Sequence, residues 1–303
     1  MRLPLLIFTI LSSIIVYSQS FAPIKSPTIP KTVKFADQEI SLARTDMYER
    51  FDRELTSLIY SHGTTLLTVK RANRYFPVLS KILKENNVPE DFLYLACVES
   101  LLDTRAYSSA KAAGIWQFIP GTARQYGLEV TDFVDERYNI EKETVAACNY
   151  FKNAYAKYGN WESVAASYNA GTGRISSELQ SQMVKSAYDL HLPKETARYI
   201  YRILATKVLM ENLSSFGYCI KSDQLYQPLD YTIVEINTSV DDWQKWAKER
   251  NITYSQLREY NPWIVAKSLP NKTGKVYQVK VPTEKGLYRQ QSATVFNKIW
   301  VTD

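Results

Sequence analysis

The sequence predicts a mainly α-helical domain followed by a small α+β module. Apolar residues recur at helical spacing from about residue 41 to residue 215, with short helix-ending signals between them. After Cys219, two alternating β-branched segments flank two short helical patterns. A chain of 303 residues can build one large core and a smaller second module, so both parts can fold.

The composition excludes several classes of protein. Hydrophobic residues make up 45% of the chain and charged residues 22%, as in ordinary globular proteins, which argues against disorder. The net charge of +6 is spread along the chain without a run of Lys or Arg, so we expect no nucleic-acid partner. Because the chain has only 2 histidines, we expect no His-based metal site.

Residues 1–20 have the pattern of a cleavable secretion signal. Arg2 precedes an apolar stretch from Leu3 to Val16, and small and polar residues follow it. The apolar stretch is short for a bilayer span, although an uncleaved N-terminal anchor is the alternative. The first cysteine is Cys97, so the protein is not expected to be a lipoprotein.

The helical part is predicted element by element. Residues 21–69 are assigned to an extended, proline-containing leader and a helix, and residues 70–215 to the main helical domain. Within that domain one helix ends at Asn86 and Pro89 opens the next. Further helices are predicted after Pro120 as far as Gly127, from Val145 to Gly159, from Trp161 to Tyr168 with Asn160 as N-cap and Gly171 as its end, and from Glu195 to Glu211 after Pro193.

The C-terminal part is predicted as a linker over residues 216–228, a module over 229–284 and a tail over 285–303. The module has the order strand, helix, helix, strand, with the segments Tyr231–Asn237, Trp243–Lys248, Ser255–Tyr260 and Val276–Pro282. The 3 cysteines are interpreted as structural, and a Cys97–Cys148 disulfide is the alternative for that pair.

Glu99 is the first candidate for chemistry. It follows the nearly apolar segment Tyr94–Val98 in the last predicted turn of a helix, so burial and the helix dipole both raise its pKa. A carboxylic acid that stays protonated near neutral pH can serve as a general acid. A glutamate near a helix end is usually solvated, however, so this position alone is weak evidence.

Four ordered motifs strengthen the assignment. Glu99-Ser100, Gly114–Pro120, Ser167–Gly171 and Glu195–Tyr199 together resemble the soluble lytic transglycosylase (SLT) domain of peptidoglycan lytic transglycosylases. The second motif contains Trp and Phe, which is most similar to the membrane-bound lytic murein transglycosylase D group. The resemblance covers roughly residues 70–210 and implies a lysozyme-like helical fold.

The resemblance also implies roles for individual residues. Glu99 would protonate the leaving sugar oxygen of a bond between N-acetylmuramic acid and N-acetylglucosamine, and would then act as the base that closes a 1,6-anhydro ring. No metal or organic cofactor is needed for this chemistry. The implied substrate-binding and supporting residues are Ser100, Ser108, Gln117, Tyr168, Asn169, Glu195 and Tyr199. Among these, the Tyr168 hydroxyl is expected near the glutamate, while Glu195 and Tyr199 are expected to buttress the cleft.

Each of these residues has a competing structural interpretation. Ser108 is also typical of a turn or N-cap, Gln117 of a half-buried satisfied amide, and Tyr168 of packing. Trp116 and Phe118 are expected in the core rather than under a sugar. Asp103, four residues after Glu99, is interpreted as a helix cap or turn.

The absence of a recognisable partner acid separates this interpretation from that of an ordinary glycosidase, which uses two carboxylates. A lytic enzyme needs only Glu99, because the substrate's 2-acetamido group helps to stabilise the positive charge at the anomeric carbon. The alternatives are a hydrolytic muramidase that uses water and a catalytically silent wall-binding protein.

The C-terminal module resembles a degenerate lysin-motif (LysM) domain. Asp242–Glu249, Ile252–Leu257, Asn261-Pro262 and Tyr277–Pro282 follow that family's order, but the usual Gly-Asp-Thr start is absent. The module is therefore expected either to bind glycan and anchor the protein to the wall or to be purely structural. The resemblance and the secretion signal together predict a periplasmic protein whose partner is the peptidoglycan glycan strand.

Overall fold

The computed structural model describes residues 25–289 and 293–303, so the predicted secretion signal lies outside the described residues. The predicted fold class, a mainly helical domain with a small α+β module, is confirmed. The helical domain contains α1 (Thr45–Tyr60), α2 (His62–Glu85), α3 (Phe92–Ser100), α4 (Pro120–Gln125), α5 (Ile140–Tyr158), α6 (Trp161–Ala170), α7 (Thr172–Ser181) and α8 (Lys194–Glu211).

Several helix ends form through the predicted signals. The Asn160 side chain accepts a hydrogen bond of 2.9 Å from the amide of Ser163, which caps α6. Gly159 ends α5 in the left-handed conformation, with φ of 69°. The helix α7 was not predicted, because its short apolar pattern follows Gly171 directly.

The N-terminal region is more structured than the predicted leader. Residues Thr32–Phe35 (β1) and Gln38–Ser41 (β2) form an antiparallel hairpin, and the turn residues Ala36 and Asp37 both have positive φ. Two-residue hairpin turns usually contain Gly or Asn, and this one contains neither, so the hairpin was not predicted from the sequence. The hairpin is tied to the helical domain, since the amide of Ala36 donates to Asp91 at 2.6 Å.

The predicted domain boundary at residue 70 falls inside α2. That helix continues from His62 to Glu85, with Pro77 in its interior. Helix α1 packs along α8, and its buried Phe51 and Leu55 belong to the same core as α3 and α5. The apolar helix α3 lies at the centre of this core, so Phe92 contacts the Phe151 ring at 4.4 Å. The helical domain therefore includes the segments that precede residue 70.

The C-terminal module consists of β3 (Tyr231–Ile236), α9 (Trp243–Lys248), α10 (Tyr254–Tyr260), β4 (Tyr277–Pro282) and α11 (Glu284–Leu287). Strands β3 and β4 pair antiparallel from Tyr231↔Pro282 to Ile236↔Tyr277. The predicted order strand, helix, helix, strand is present, and α11 adds a short final helix. In α10 the side chain of Thr253 caps the amide of Gln256 at 3.1 Å.

The module is docked on the helical domain. Val134, from the segment between α4 and α5, is fully buried in the core of the module. The neighbouring amide of Asp135 donates to the carbonyl of Trp263 at 2.9 Å. The Lys275 ammonium contacts Glu129 at 2.5 Å and Glu136 at 3.1 Å across the same interface. The helical domain therefore contributes part of the module's core and an ion-pair network.

The predicted linker and tail also pack against the helical domain. Ile220 and Leu225, both in the linker, are buried in its core. From the tail, the indole nitrogen of Trp300 donates to the carbonyl of Met210 at 2.9 Å, and the ring of Phe296 meets Phe76 edge-on at 5.7 Å. The residues before and after the module therefore both pack on the helical domain, and neither the predicted linker nor the predicted tail is an unpacked segment.

The three cysteines are free thiols. Cys97 and Cys148 are buried and Cys219 is exposed, so the alternative of a Cys97–Cys148 disulfide is not what the structure contains. Within the described residues, no helix combines the length and the apolar character needed to cross a membrane.

Candidate active site

Glu99 lies in the last turn of α3. The helix stops directly after it, because Leu101 and Leu102 adopt left-handed conformations with φ of 54° and 56°. The amide of Leu101 closes the turn on the carbonyl of Cys97 at 2.8 Å. The buried apolar helix and this sharp exit hold the half-buried Glu99 carboxyl at the helix end, as the sequence predicted.

The environment of Glu99 keeps a proton available near neutral pH. Burial raises the pKa of Glu99 to about 7, although a hydrogen bond from Tyr199 and the positive charge of Arg202 both act to lower it. Desolvation is therefore the dominant effect. A carboxyl with this pKa can donate a proton and later accept one at the same pH.

Tyr199 supplies the hydroxyl that holds this carboxyl. It lies on α8, its side chain is 2% exposed, and its hydroxyl donates a hydrogen bond to a carboxylate oxygen of Glu99. The sequence placed Tyr199 in a buttressing role and expected the Tyr168 hydroxyl near the glutamate. The hydroxyl of Tyr168 is close enough for the Glu99 charge to act on it, but it donates its hydrogen bond to the carbonyl of Trp116 at 2.6 Å. Burial and the negative charges of Glu99 and Glu143 raise the pKa of Tyr168.

A loop over residues 114–118 lies beside the end of α3, and buried groups fix its backbone. The amides of Ile115 and Trp116 donate to the Glu143 carboxylate at 3.2 and 3.1 Å. The Ser100 hydroxyl donates to the carbonyl of Ile115 at 2.9 Å, which ties the loop to the end of α3. Ser100 therefore supports the backbone beside Glu99.

The side chains of this loop are mostly occupied by the protein itself. Trp116 and Phe118 are buried, which confirms their expected place in the core. Gln117 is half-buried, has a φ of 51°, and donates through its amide to the carbonyls of Gly114 at 2.8 Å and Ala106 at 3.2 Å. Its amide nitrogen is therefore satisfied by the loop.

The remaining predicted residues lie in more exposed positions. The Ser108 hydroxyl accepts a hydrogen bond of 3.1 Å from the amide of Ala112, so it closes a turn. Asn169 is exposed at the end of α6. Glu195 is exposed on the first turn of α8 and pairs with Arg202 at 3.3 Å. The geometry thus brings Tyr199, Ser100 and the 114–118 loop around Glu99, whereas the Ser108 and Glu195 side chains are engaged elsewhere.

Two carboxylates of this region were missed by sequence reasoning. Glu143 is fully buried behind the 114–118 loop, where burial raises its pKa well above the ordinary value. Glu54 on α1 is 2% exposed and accepts hydrogen bonds from Arg198 at 2.7 Å and Arg202 at 3.3 Å. Both lie on helices that also carry exposed or half-exposed charged residues, so a single sequence carries no signal for either.

Asp103 and Glu143, two other carboxylates of this region, are both engaged by contacts within the protein. Asp103 forms an ion pair with Arg71 at 3.1 Å and accepts a turn hydrogen bond from the amide of Arg105 at 3.0 Å, in agreement with its predicted turn role. Glu143 is closed off from solvent. Of these three carboxyls, Glu99 combines a half-buried position with a pKa near neutrality, which suits acid and base chemistry.

Two family models match this chain. Residues 77–190 match the Transglycosylase SLT domain, and residues 232–285 match the Soluble lytic transglycosylase C-terminal LysM-like domain. The two matches confirm both resemblances drawn from the motifs. Helices α1 and α8, which carry Glu54 and Tyr199, lie outside the first match.

Individual proteins are similar over part of their length. The membrane-bound lytic murein transglycosylase D of Escherichia coli K12 is 30% identical over 226 residues, which are 73% of this chain and 48% of that protein. The chain therefore spans about half the length of this curated relative. A putative tributyltin chloride resistance protein of an Alteromonas species is 27% identical over 118 residues, which are 39% of this chain and 57% of that protein.

Among solved structures, the 70 kDa soluble lytic transglycosylase of Escherichia coli matches with 21% identity and a TM-score of 0.38 over 44% of this chain and 23% of that one. A 70 kDa soluble lytic transglycosylase in complex with bulgecin A matches with 18% identity and a TM-score of 0.41 over 58% of this chain and 32% of that one.

Proposed function

We propose that this chain is a lytic transglycosylase, which cleaves peptidoglycan glycan strands with Glu99 as its acid and base. The premise is that residues 77–190 form a transglycosylase SLT domain. The observation that carries the proposal is the environment of Glu99. Its half-buried carboxyl has a pKa of about 7 and is held by the hydroxyl of Tyr199.

In the first step, protonated Glu99 gives its proton to the glycosidic oxygen that becomes O4 of the leaving N-acetylglucosamine. The bond from this oxygen to C1 of N-acetylmuramic acid breaks, and its electron pair stays on the oxygen. Positive charge develops at C1, where the substrate's own 2-acetamido group helps to stabilise it. The carboxylate left on Glu99 keeps its hydrogen bond from Tyr199.

In the second step, the Glu99 carboxylate removes the proton from the O6 hydroxyl of the same muramic acid. O6 then bonds to C1 and forms a 1,6-anhydro ring, so no water is consumed and Glu99 regains its proton. One group acts as acid and then as base, which requires a pKa close to the working pH.

The surroundings of Glu99 support this route over a two-carboxylate mechanism. A retaining glycosidase needs a second carboxylate about 5 Å away, and an inverting one needs it at roughly 6.5–9.5 Å with room for water between them. Glu143 is enclosed by the protein and Asp103 is engaged with Arg71 and a turn. The substrate hydroxyl is therefore the proposed nucleophile.

For the LysM-like module we propose a structural role first. Its core includes Val134 of the helical domain, and Lys275 connects the two across Glu129 and Glu136. The Trp246 ring on α9 is buried and is covered by the guanidinium of Arg250, which lies 3.7 Å from the ring centroid. Wall anchoring through this module and export to the periplasm stay predictions from the sequence.

Mass spectrometry of the products tests the proposal. The purified protein should release muropeptides that end in 1,6-anhydro-N-acetylmuramic acid from peptidoglycan sacculi, and Glu99→Gln should lose nearly all of this release while it still binds sacculi. Products with ordinary reducing ends would identify a hydrolytic muramidase instead. Binding without any release by the parent protein would identify a silent wall-binding protein.

A further inference from the structure

A shallow pocket of about 320 Å³ lies on the helical domain where the end of α2 meets α5 and the start of α6. Two aromatic rings line it together with Asn86, Asn87 and Lys152. One pocket residue, Trp161, contacts the first residue of α3, and Glu99 lies in the last turn of that helix. Phe92, which touches the pocket's Trp161 ring at 5.4 Å, precedes Glu99 by seven residues of α3, a rise of about 10 Å.

The aromatic part of the pocket is a firmly held flat surface. The rings of Tyr155 and Trp161 stack with centroids 4.2 Å apart and an angle of 28°. Trp161 is anchored by its edge contact with Phe92 in the core, while Tyr155 is 38% exposed. Large aromatic rings with one accessible face offer a platform on which the apolar C–H face of a pyranose can pack.

The polar part of the pocket presents a positive charge and an amide. The Lys152 ammonium donates to the side-chain oxygen of Asn86 at 3.1 Å, and Asn86 is itself fixed by donating to the carbonyl of Ile82 at 2.9 Å. Within the described ranges Lys152 forms no ion pair with a carboxylate, and the rim acid Glu85 pairs with Lys81 at 3.9 Å. The exposed Asn87, with φ of 55°, ends the rim.

We propose that this pocket is a second saccharide site, which holds a carboxylate-bearing unit of a glycan strand away from the Glu99 centre. A sugar ring packs on Tyr155, the amides bind its hydroxyl or acetamido groups, and Lys152 binds the carboxylate. The identity of the ligand rests on the proposed function, whereas the aromatic and cationic surface does not. Such a site keeps the protein on a polymeric substrate and is not needed for a short one.

Binding to insoluble peptidoglycan tests the site directly. In a Glu99→Gln background, Tyr155→Ala should weaken binding to sacculi by about fivefold to tenfold in a sedimentation assay. The matched control is Tyr48→Ala, since Tyr48 is another exposed tyrosine (45%) on a helix of the same domain. With Glu99 intact, Tyr155→Ala should cleave a short soluble glycan at the parent rate and sacculi more slowly.

The role of Lys152 is tested with Lys152→Gln on three polymers. The three polymers are neutral chitin, intact sacculi, and glycan strands stripped of their stem peptides. Binding to chitin should be unchanged, while binding to at least one of the two anionic polymers should fall. A loss on glycan strands stripped of peptides by an amidase identifies the lactyl carboxylate of muramic acid, and a loss on intact sacculi alone identifies a stem-peptide carboxylate. Equal binding by Tyr155→Ala and Tyr48→Ala on all three polymers overturns the proposal. A parent protein that cleaves nothing would end the proposed function and leave these binding comparisons valid.

Discussion

The hydroxyl of Tyr199 donates a hydrogen bond to the carboxylate of Glu99 and so joins the end of α3 to α8 across 100 residues of sequence. Tyr199 is nearly fully buried, so the bond is formed away from bulk water. Such a bond to a charged acceptor orients the carboxyl and opposes the rise in pKa that burial causes. The Glu99 carboxyl is therefore positioned by a helix that lies outside the matched SLT residues.

Tyr199→Phe should lower the rate of glycan cleavage by about tenfold or more, because Glu99 loses the group that orients it. Removing this bond also raises the pKa of Glu99, so the protonated acid persists to higher pH. The alkaline limb of the kcat/KM profile should therefore move to higher pH, as measured by soluble muropeptide release.

Tyr168→Phe is the matched control, since it removes a neighbouring hydroxyl that donates to the Trp116 carbonyl and not to Glu99. It should leave the alkaline limb in place with a smaller loss of rate. An equal displacement of that limb in both variants would contradict the assignment of the Glu99 hydrogen bond to Tyr199.

Glu99→Gln should stabilise the protein above neutral pH. Burial raises the folded-state pKa of Glu99 from 4.5 to about 7, so folding favours the protonated form. Below pH 4.5 both folded and unfolded chains are protonated and no penalty arises, whereas between 4.5 and 7 the folded state loses stability as the pH rises. Gln resembles the protonated acid, so it avoids this loss.

The expected gain in the free energy of unfolding at pH 8 is at most about 3 kcal/mol, and it should vanish near pH 4. Denaturant titrations of both proteins at several pH values measure it. Glu195→Gln serves as control, because Glu195 is exposed. If the difference in the free energy of unfolding between Glu99→Gln and the parent did not change with pH, burial would not raise the pKa of Glu99 in the folded state.

Much of this fold was predictable from local signals, and the parts that were missed depend on long-range contacts. Asn160 and Gly159 mark helix ends through their own side chain or backbone freedom, so the sequence displays them. The β1–β2 hairpin uses Ala36 and Asp37 in a turn that neither residue announces. Its position is determined instead by contacts such as the one with Asp91.

In the candidate site, too, local signals could be read from the sequence and long-range contacts could not. Glu99 could be proposed from the sequence because an apolar run and a motif surround it. The buried Glu54 and Glu143 could not be, because their partners lie far away on α8 and in the 114–118 loop. The hydrogen bond from Tyr199 to Glu99 likewise depends on how α8 packs against α3, which no local pattern determines.

Gly114→Ala should destabilise the helical domain by more than about 4 kcal/mol. Gly114 has a φ of 82°, and an added Cβ would lie 1.7 Å from the carbonyl oxygen of Arg137 and 2.4 Å from a carboxylate oxygen of Glu143. The 114–118 loop would have to move away from its buried anchor. Thermal or chemical denaturation followed by circular dichroism measures the loss.

Gly127→Ala separates backbone strain from this clash. Gly127 has a similar φ of 86°, but nothing lies within 4 Å of the position that an added Cβ would occupy. Its substitution should lower the free energy of unfolding by only about 1–2 kcal/mol, which is the cost of placing alanine in the left-handed conformation. Equal losses for the two glycine variants would mean that the close approach of Arg137 and Glu143 to Gly114 is unimportant.

Arg202→Gln should move the alkaline limb of activity to higher pH by less than about one pH unit, because the positive charge of Arg202 lowers the pKa of Glu99. Arg198→Gln is a close control. Both arginines lie on α8 and both donate to the buried Glu54, but only Arg202 is among the groups that act on Glu99. Each variant removes one partner of Glu54, so both should lose stability, whereas only Arg202→Gln should displace the limb. The pH profiles of kcat/KM measure the displacement of the alkaline limb, and unfolding curves measure the loss of stability. If Arg198→Gln displaced the limb as far as Arg202→Gln does, the change would come from Glu54 and the packing of α1 and not from the charge of Arg202.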